Sequence, residues 1–171
     1  STMKFLNEYQ LSLNKKFSLL QTFATDNPFY YPLNKVSPKD YFATNNVIGI
    51  FSIVNPNRFY PSKIKDIDIL CIGQVGSYRS SRIKYFDEIK KLESNYKVVI
   101  SPLDREEFMP WEDYISLCSR SKIIVNFSES VDFHQLKGRV FEAMTCGAVI
   151  MDNVESPIFL YFEEGKHFMS Y

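Results

Sequence analysis

The chain has 171 residues, 45% of them apolar and 23% charged, which is enough for one domain with a real core. Its 20 basic residues equal its 20 acidic ones, so the formal charge is zero. This gives no support to a generic binder of nucleic acid or of an anionic membrane surface. No run of about 18 apolar residues is present, so no transmembrane segment is expected. Three scattered cysteines, Cys71, Cys118 and Cys146, fit no zinc spacing and read as buried free thiols of a reducing, cytoplasmic compartment.

In chain order, Leu6, Tyr9, Leu13, Phe17 and Leu20 recur at three- and four-residue steps, which predicts an amphipathic helix over 3–24. Residues 26–46 mix Pro, Asn and Asp with aromatic residues and read as irregular chain. Val47 to Val54 is a short apolar run, a candidate strand ended by Asn55-Pro56-Asn57. The expected division is therefore an N-terminal helix and linking segment over 1–60 and a nucleotide-binding domain over 61–171.

From Ile67 the pattern becomes regular. Ile67 to Ile72, Lys97 to Ile100, Lys122 to Phe127 and Ala148 to Met151 are short, apolar, β-branched runs that predict strands. Between them, Ser81 to Ser94, Trp111 to Ser119 and Gly138 to Thr145 predict helices, the last closed by Gly147, and Ser156 to Glu163 predicts one more before Gly165. Connections of this length suit helical crossovers rather than hairpins. The expected fold is α/β, a Rossmann-like parallel sheet with helices on both faces.

In such a sheet, ligands bind beyond the carboxyl ends of the strands. Two loops leave those ends with suitable chemistry. Gly73-Gln74-Val75-Gly76 leads to Arg82, and glycines there let backbone approach a ligand. Asn126 to Arg139 enters the helix that holds Glu142, and Lys137 and Arg139 flank Gly138 at its start. Two cations at the positive end of a helix oppose its dipole unless an anion such as a diphosphate joins them. A solvated basic turn is the alternative for the cations, and an intrahelical Arg139–Glu142 pair the alternative for the carboxylate.

The run from Gln135 to Ile150, with Lys137-Gly138-Arg139-Val140-Phe141-Glu142-Ala143-Met144-Thr145-Cys146-Gly147 at its centre, resembles the donor-site segment of GT-B glycosyltransferases. It is closest to the CgeB-like group of the glycosyl transferases group 1. The stretch from Phe159 to Lys166, the strand from Asp66 to Gly73 and Arg82 resemble flanking parts of the same half, so the likeness covers about residues 66–171. The resemblance implies a domain that binds a nucleoside diphosphate sugar and passes the sugar to an unknown acceptor. It implies that Glu142 binds the ribose. Lys137 and Arg139 would hold and stabilise the leaving diphosphate, with Gly73, Gly76, Arg82 and Gly138 near the phosphates. Many retaining relatives carry a glutamate where this chain has His134, which reads instead as a loop residue beside the sugar or phosphate. The donor is a substrate, and the resemblance implies neither a cofactor nor a metal.

A complete GT-B enzyme has a second Rossmann-like domain that supplies the acceptor site, and this sequence reads as lacking it. A non-catalytic nucleotide-binding or scaffold module of the same fold is the alternative. A CheY-like domain would want acids at the strand ends, whereas Asp66 and Asp68 stand at a strand's start, and no G-x-S-x-G elbow supports a hydrolase.

Overall fold

The structure is a computed structural model and describes residues 19–22, 47–50, 54–75, 77–103, 109–129, 134 and 136–171. The chain divides into two units, Ser1–Ser52 and Ile53–Tyr171. In the first, strands β1 (Leu19–Thr22) and β2 (Val47–Ile50) pair in parallel, Leu19 opposite Val47 and Thr22 opposite Ile50. The helix expected over 3–24 is therefore corrected at Leu19–Thr22, where the backbone groups serve a strand ladder rather than helical bonds. The rest of that prediction, and residues 51–53 of the second apolar run, lie outside the described residues.

The second unit holds a five-stranded parallel sheet. Its elements are β3 (Ile67–Gln74), α1 (Ile83–Lys90), β4 (Val98–Leu103), α2 (Trp111–Arg120), β5 (Ser121–Val125), α3 (Gly138–Thr145), β6 (Val149–Asp152) and β7 (Phe168–Ser170). The strand order is β4-β3-β5-β6-β7, and every pairing is parallel. This is the Rossmann-like α/β arrangement.

Both faces of the sheet are covered, which is why the strands lack polar alternation. On one face Leu70, Ile72, Ile124 and Ile150 pack against Tyr114, Ile115 and Cys118 of α2 and Val140 and Ala143 of α3. On the other, Cys71 and Val125 pack with Phe86 of α1 and with Phe127, whose ring stacks on Phe86 at 5.4 Å. The cysteines are buried and unbridged. No described helix is long and apolar enough to cross a membrane.

Several predicted elements change in detail. The helix expected from Ser81 to Ser94 is three pieces: a 3-10 turn Ser77–Arg82, the α-helix α1, and a 3-10 turn Lys91–Ser94. Arg79 leaves helical geometry (φ −136°), and no acidic residue or side-chain cap starts α1. The last predicted helix shrinks to the 3-10 turn Pro157–Leu160, begun by Ser156 Oγ accepting from Ile158 N. The short strand β7 has no counterpart among the predicted elements.

The boundaries of α3 match the expectation. Gly147 adopts φ +66°, its N–H bonds Met144 O, and Ala148 N–H bonds Ala143 O. That is a Schellman closure, which satisfies carbonyls the helix would otherwise leave open. The chain then turns straight into β6, so α3 lies with its start at the carboxyl edge of the sheet.

Candidate functional site

The chain leaves β3 for β4 on one side and returns across it to β5 on the other. The strand order thus reverses between β3 and β5, and the crevice at their carboxyl ends is the place where open α/β sheets bind ligands. Gln74 ends β3 at this point, and Asn126 to Glu129 leave β5 beside it.

Three cations converge here from two segments, the foot of α1 and the start of α3. Arg82, at the foot of α1, donates from Nη1 to Gln74 O (3.2 Å) and from Nη2 to Glu129 O (3.0 Å). Its guanidinium lies over the Phe127 ring, 5.1 Å from the centroid. Lys137, in extended backbone just before α3, donates from Nζ to the same Glu129 carbonyl (2.8 Å). Arg139, the second residue of α3, donates from Nη1 to Ile72 O (2.6 Å). Arg79 joins them, its Nη1 donating to Gln74 Oε1 (3.2 Å).

Backbone carbonyls are weak partners for Arg82, Lys137 and Arg139. None of Arg82, Lys137 or Arg139 makes an ion pair among the described residues. Arg82 is almost wholly buried, and its Nε has no partner among the described residues. A buried charge without a counter-ion is costly, and the electrostatics record the cost. Burial lowers the Arg82 pKa to about 10, helped by Arg79 and Arg139. Burial also lowers that of Lys137 to about 7, helped by Arg82, Arg79 and Arg139. Burial opposes the Arg139 charge as well, but Tyr114, Cys118 and Glu142 outweigh it and raise its pKa.

Asp152, at the end of β6, is a buried acid. Its oxygens accept from Ser156 Oγ (2.7 Å) and Asn153 N (2.9 Å), and burial raises its pKa while Lys137 pulls the other way. No side chain caps the start of α3. Its positive end therefore adds to the cationic cluster instead of being neutralised.

Glu142 stands one turn deeper on α3. Its Oε2 accepts from Tyr114 Oη (2.6 Å), and Arg139 Nε makes a long contact (3.4 Å) to the same hydroxyl. Tyr114 thus replaces the direct Arg139–Glu142 pair considered from spacing. Among the described residues, Oε1 of Glu142 accepts no hydrogen bond, so the carboxylate has one oxygen to offer.

Lys137, Gly138, Arg139, Glu142, Gly73 and Arg82 all gather at this edge. Gly73 is close-packed for a reason: a Cβ there would stand 3.3 Å from Phe127 Cδ2 and 3.5 Å from Arg82 Nη1. Arg82 is the floor of the cluster rather than its surface. Gly76 lies outside the described residues. His134 pairs with Glu129 in an isolated antiparallel bridge beside the cluster, and in its ring Nδ1 lies 2.9 Å from Ser128 Oγ and Nε2 2.9 Å from Glu155 Oε2. Both ring nitrogens therefore have partners within the chain.

Sequence reasoning missed Tyr114 and Asp152. Tyr114 stands on the apolar face of its helix and reads as core, and Asp152 follows a strand with nothing nearby to mark it. Asp66 and Asp68 sit at the opposite edge of the sheet, as their place before the strand suggested. Asp66 pairs with Arg120 and Lys97, and Asp68 with Lys122, all at 2.6–2.7 Å.

The sequence model of a family described as glycosyl transferase-like matches residues 62–171. No curated protein matches the chain.

Proposed function

The chain belongs to the glycosyl transferase-like family, and on that premise we propose that its second unit binds a nucleoside diphosphate sugar as the donor half of a glycosyltransferase. The observation that carries the reading is the cationic cluster at the switch point. Arg82, Lys137 and Arg139 converge there without an acidic partner among the described residues, next to an uncapped helix start. A diphosphate supplies the missing counter-charge and accepts from several of these donors at once.

The roles follow from position. Lys137 and Arg139 contact the phosphates. Arg82, buried beneath them, holds the Glu129 carbonyl and adds its charge from below. Glu142, oriented by Tyr114, turns its other oxygen to the ribose hydroxyls. When the sugar departs to an acceptor, negative charge grows on the leaving diphosphate. Cations already in place stabilise that change without reorganising.

Calorimetry with uridine, guanosine and thymidine diphosphates tests the reading. One of them binds the wild-type chain. Arg139→Ala weakens it roughly tenfold or more, as expected for the loss of a hydrogen bond to a charged group. Glu142→Ala weakens the nucleotide but leaves inorganic pyrophosphate unchanged. If no nucleotide binds, or if Arg139→Ala binds as wild type does, the reading fails.

A further inference from the structure

Glu129 stands inside the cationic cluster with its main chain and outside it with its side chain. Its carbonyl accepts from Arg82 Nη2 (3.0 Å) and Lys137 Nζ (2.8 Å), so two cations share one neutral oxygen. Its carboxylate, a full negative charge on the same residue, pairs with neither of them. Oε2 accepts instead from the hydroxyl of Ser81 (2.8 Å), the residue before Arg82 in the 3-10 turn Ser77–Arg82.

Charge alone dictates the opposite. A glutamate carboxyl group hangs on three rotatable bonds, so donors bonded to the Glu129 carbonyl are within its reach. The main chain stays in place in either arrangement, because Arg82, Lys137 and the antiparallel bridge to His134 all hold it. Arg82 already senses the carboxylate: burial lowers its pKa, and Glu129 is among the groups that pull it back up. Two effects keep the acid out. Arg82 is buried, so pairing with it strips water from the carboxylate, a cost that attraction repays only in good geometry. Turned outward, the carboxylate keeps its water and gains a charge-assisted hydrogen bond from Ser81. Desolvation and ion pairing nearly cancel at such a site, and one hydrogen bond is enough to tip the balance.

We infer that Ser81 is a positioning residue of the anion site: by holding the Glu129 carboxylate outward, it keeps an internal acid from neutralising Arg82 and Lys137. Ser81 acts on the ligand through Glu129. Turned inward, Glu129 is a tethered competitor that satisfies the same cations as a diphosphate. The inference rests on the proposed function only in taking an anion as the ligand.

Calorimetry of the full chain with inorganic pyrophosphate tests it. Ser81→Ala should weaken pyrophosphate about threefold to tenfold, the range set by the net worth of one hydrogen bond. Glu129→Gln, which has no charge to compete with, should bind at least as tightly as wild type. Adding Ser81→Ala to Glu129→Gln should then cost less than about twofold, and this non-additivity marks the serine as acting through the carboxylate. Proton uptake is a second readout, which a merely structural serine would not move. Burial, with Arg82, Arg79 and Arg139 facing it, lowers the Lys137 pKa to about 7, while Asp152 pulls the other way. At about pH 8 wild type therefore takes up a proton at Lys137 when pyrophosphate binds. A carboxylate turned inward keeps that proton on the free protein, so Ser81→Ala should take up less. Titrations in two buffers of different ionisation enthalpy measure this, and the protons that pyrophosphate itself exchanges are common to both proteins. Equal losses in the two backgrounds, no loss in Ser81→Ala, or unchanged proton uptake overturns the role of Ser81 while leaving anion binding standing. Failure of wild type to bind pyrophosphate overturns the proposed function, and the inference with it.

Discussion

Lys137 carries the sharpest electrostatic consequence of the fold. Its ammonium is half-buried against Arg82, Arg79 and Arg139, and its recorded acceptor is a carbonyl. The folded pKa, about 7, lies below the ordinary lysine value of about 10.4. Between those values the unfolded chain binds more protons than the folded one. This group's contribution to the stability of the empty protein therefore rises with pH from about 7 upward. A bound diphosphate reverses the sign, because an anion favours the charged amine. Binding then takes up a proton wherever the empty site has lost one. The affinity for a nucleoside diphosphate sugar, whose own diphosphate does not titrate in this range, should fall as pH rises above 7, approaching tenfold per pH unit. Lys137→Arg, always charged, should flatten that dependence. Calorimetry from pH 6.5 to 9, in buffers of different ionisation enthalpy, measures both the slope and the proton.

At the scale of elements, α3 does the positioning, and its far end is what lets it do so. Gly147 closes the helix in a left-handed conformation and delivers the chain into β6. An alanine there meets the left-handed penalty of about 1–2 kcal/mol. Its Cβ would also stand 3.3 Å from Pro61 Cγ, which must give way. Gly147→Ala should lower the urea midpoint by an amount matching that penalty, without changing the slope. This element was legible because glycine, cations and apolar spacing all mark the same boundaries. The residues between Ser77 and Ser94 were less so: their apolar spacing is helical throughout, but only Ile83–Lys90 keeps α geometry. The three residues of β7 are too few to show a period at all. Leu20 shows the opposite failure, since a helical step ran through a residue that pairs in a strand.

The zero formal charge of the whole chain says nothing of how charge is placed, and the second unit has two ends of different design. At the carboxyl edge, Arg82, Lys137 and Arg139 make no ion pair among the described residues. At the opposite edge Arg120 and Lys97 hold Asp66 and Lys122 holds Asp68, while Lys65 donates to two carbonyls. Composition cannot reveal this, because it sums over both edges. The placement of Lys137 and Arg139 at the start of a helix, and of Asp66 and Asp68 at the start of a strand, could be read from the sequence; the partners that separate a paired cluster from an unpaired one could not. Those partners come from remote segments such as Lys97 and Arg120. The hydrogen bonds from Arg120 and Lys97 hold the Asp66 carboxyl well below its usual pKa, and Lys122 does the same for Asp68. A depressed carboxylate stabilises the fold above its unfolded pKa of about 3.9, and this is lost as pH falls through the folded value. Asp66→Asn removes the contribution at every pH. Wild type should therefore exceed Asp66→Asn in stability at pH 7, and the gap should narrow as pH falls below about 4, closing only once pH has passed the depressed folded value. If the two edges are independent, pyrophosphate affinity at pH 7 is the same in both proteins. Denaturant melts across the pH range, paired with calorimetry at pH 7, decide it: a loss of pyrophosphate binding in Asp66→Asn would show that the paired edge shapes the unpaired one.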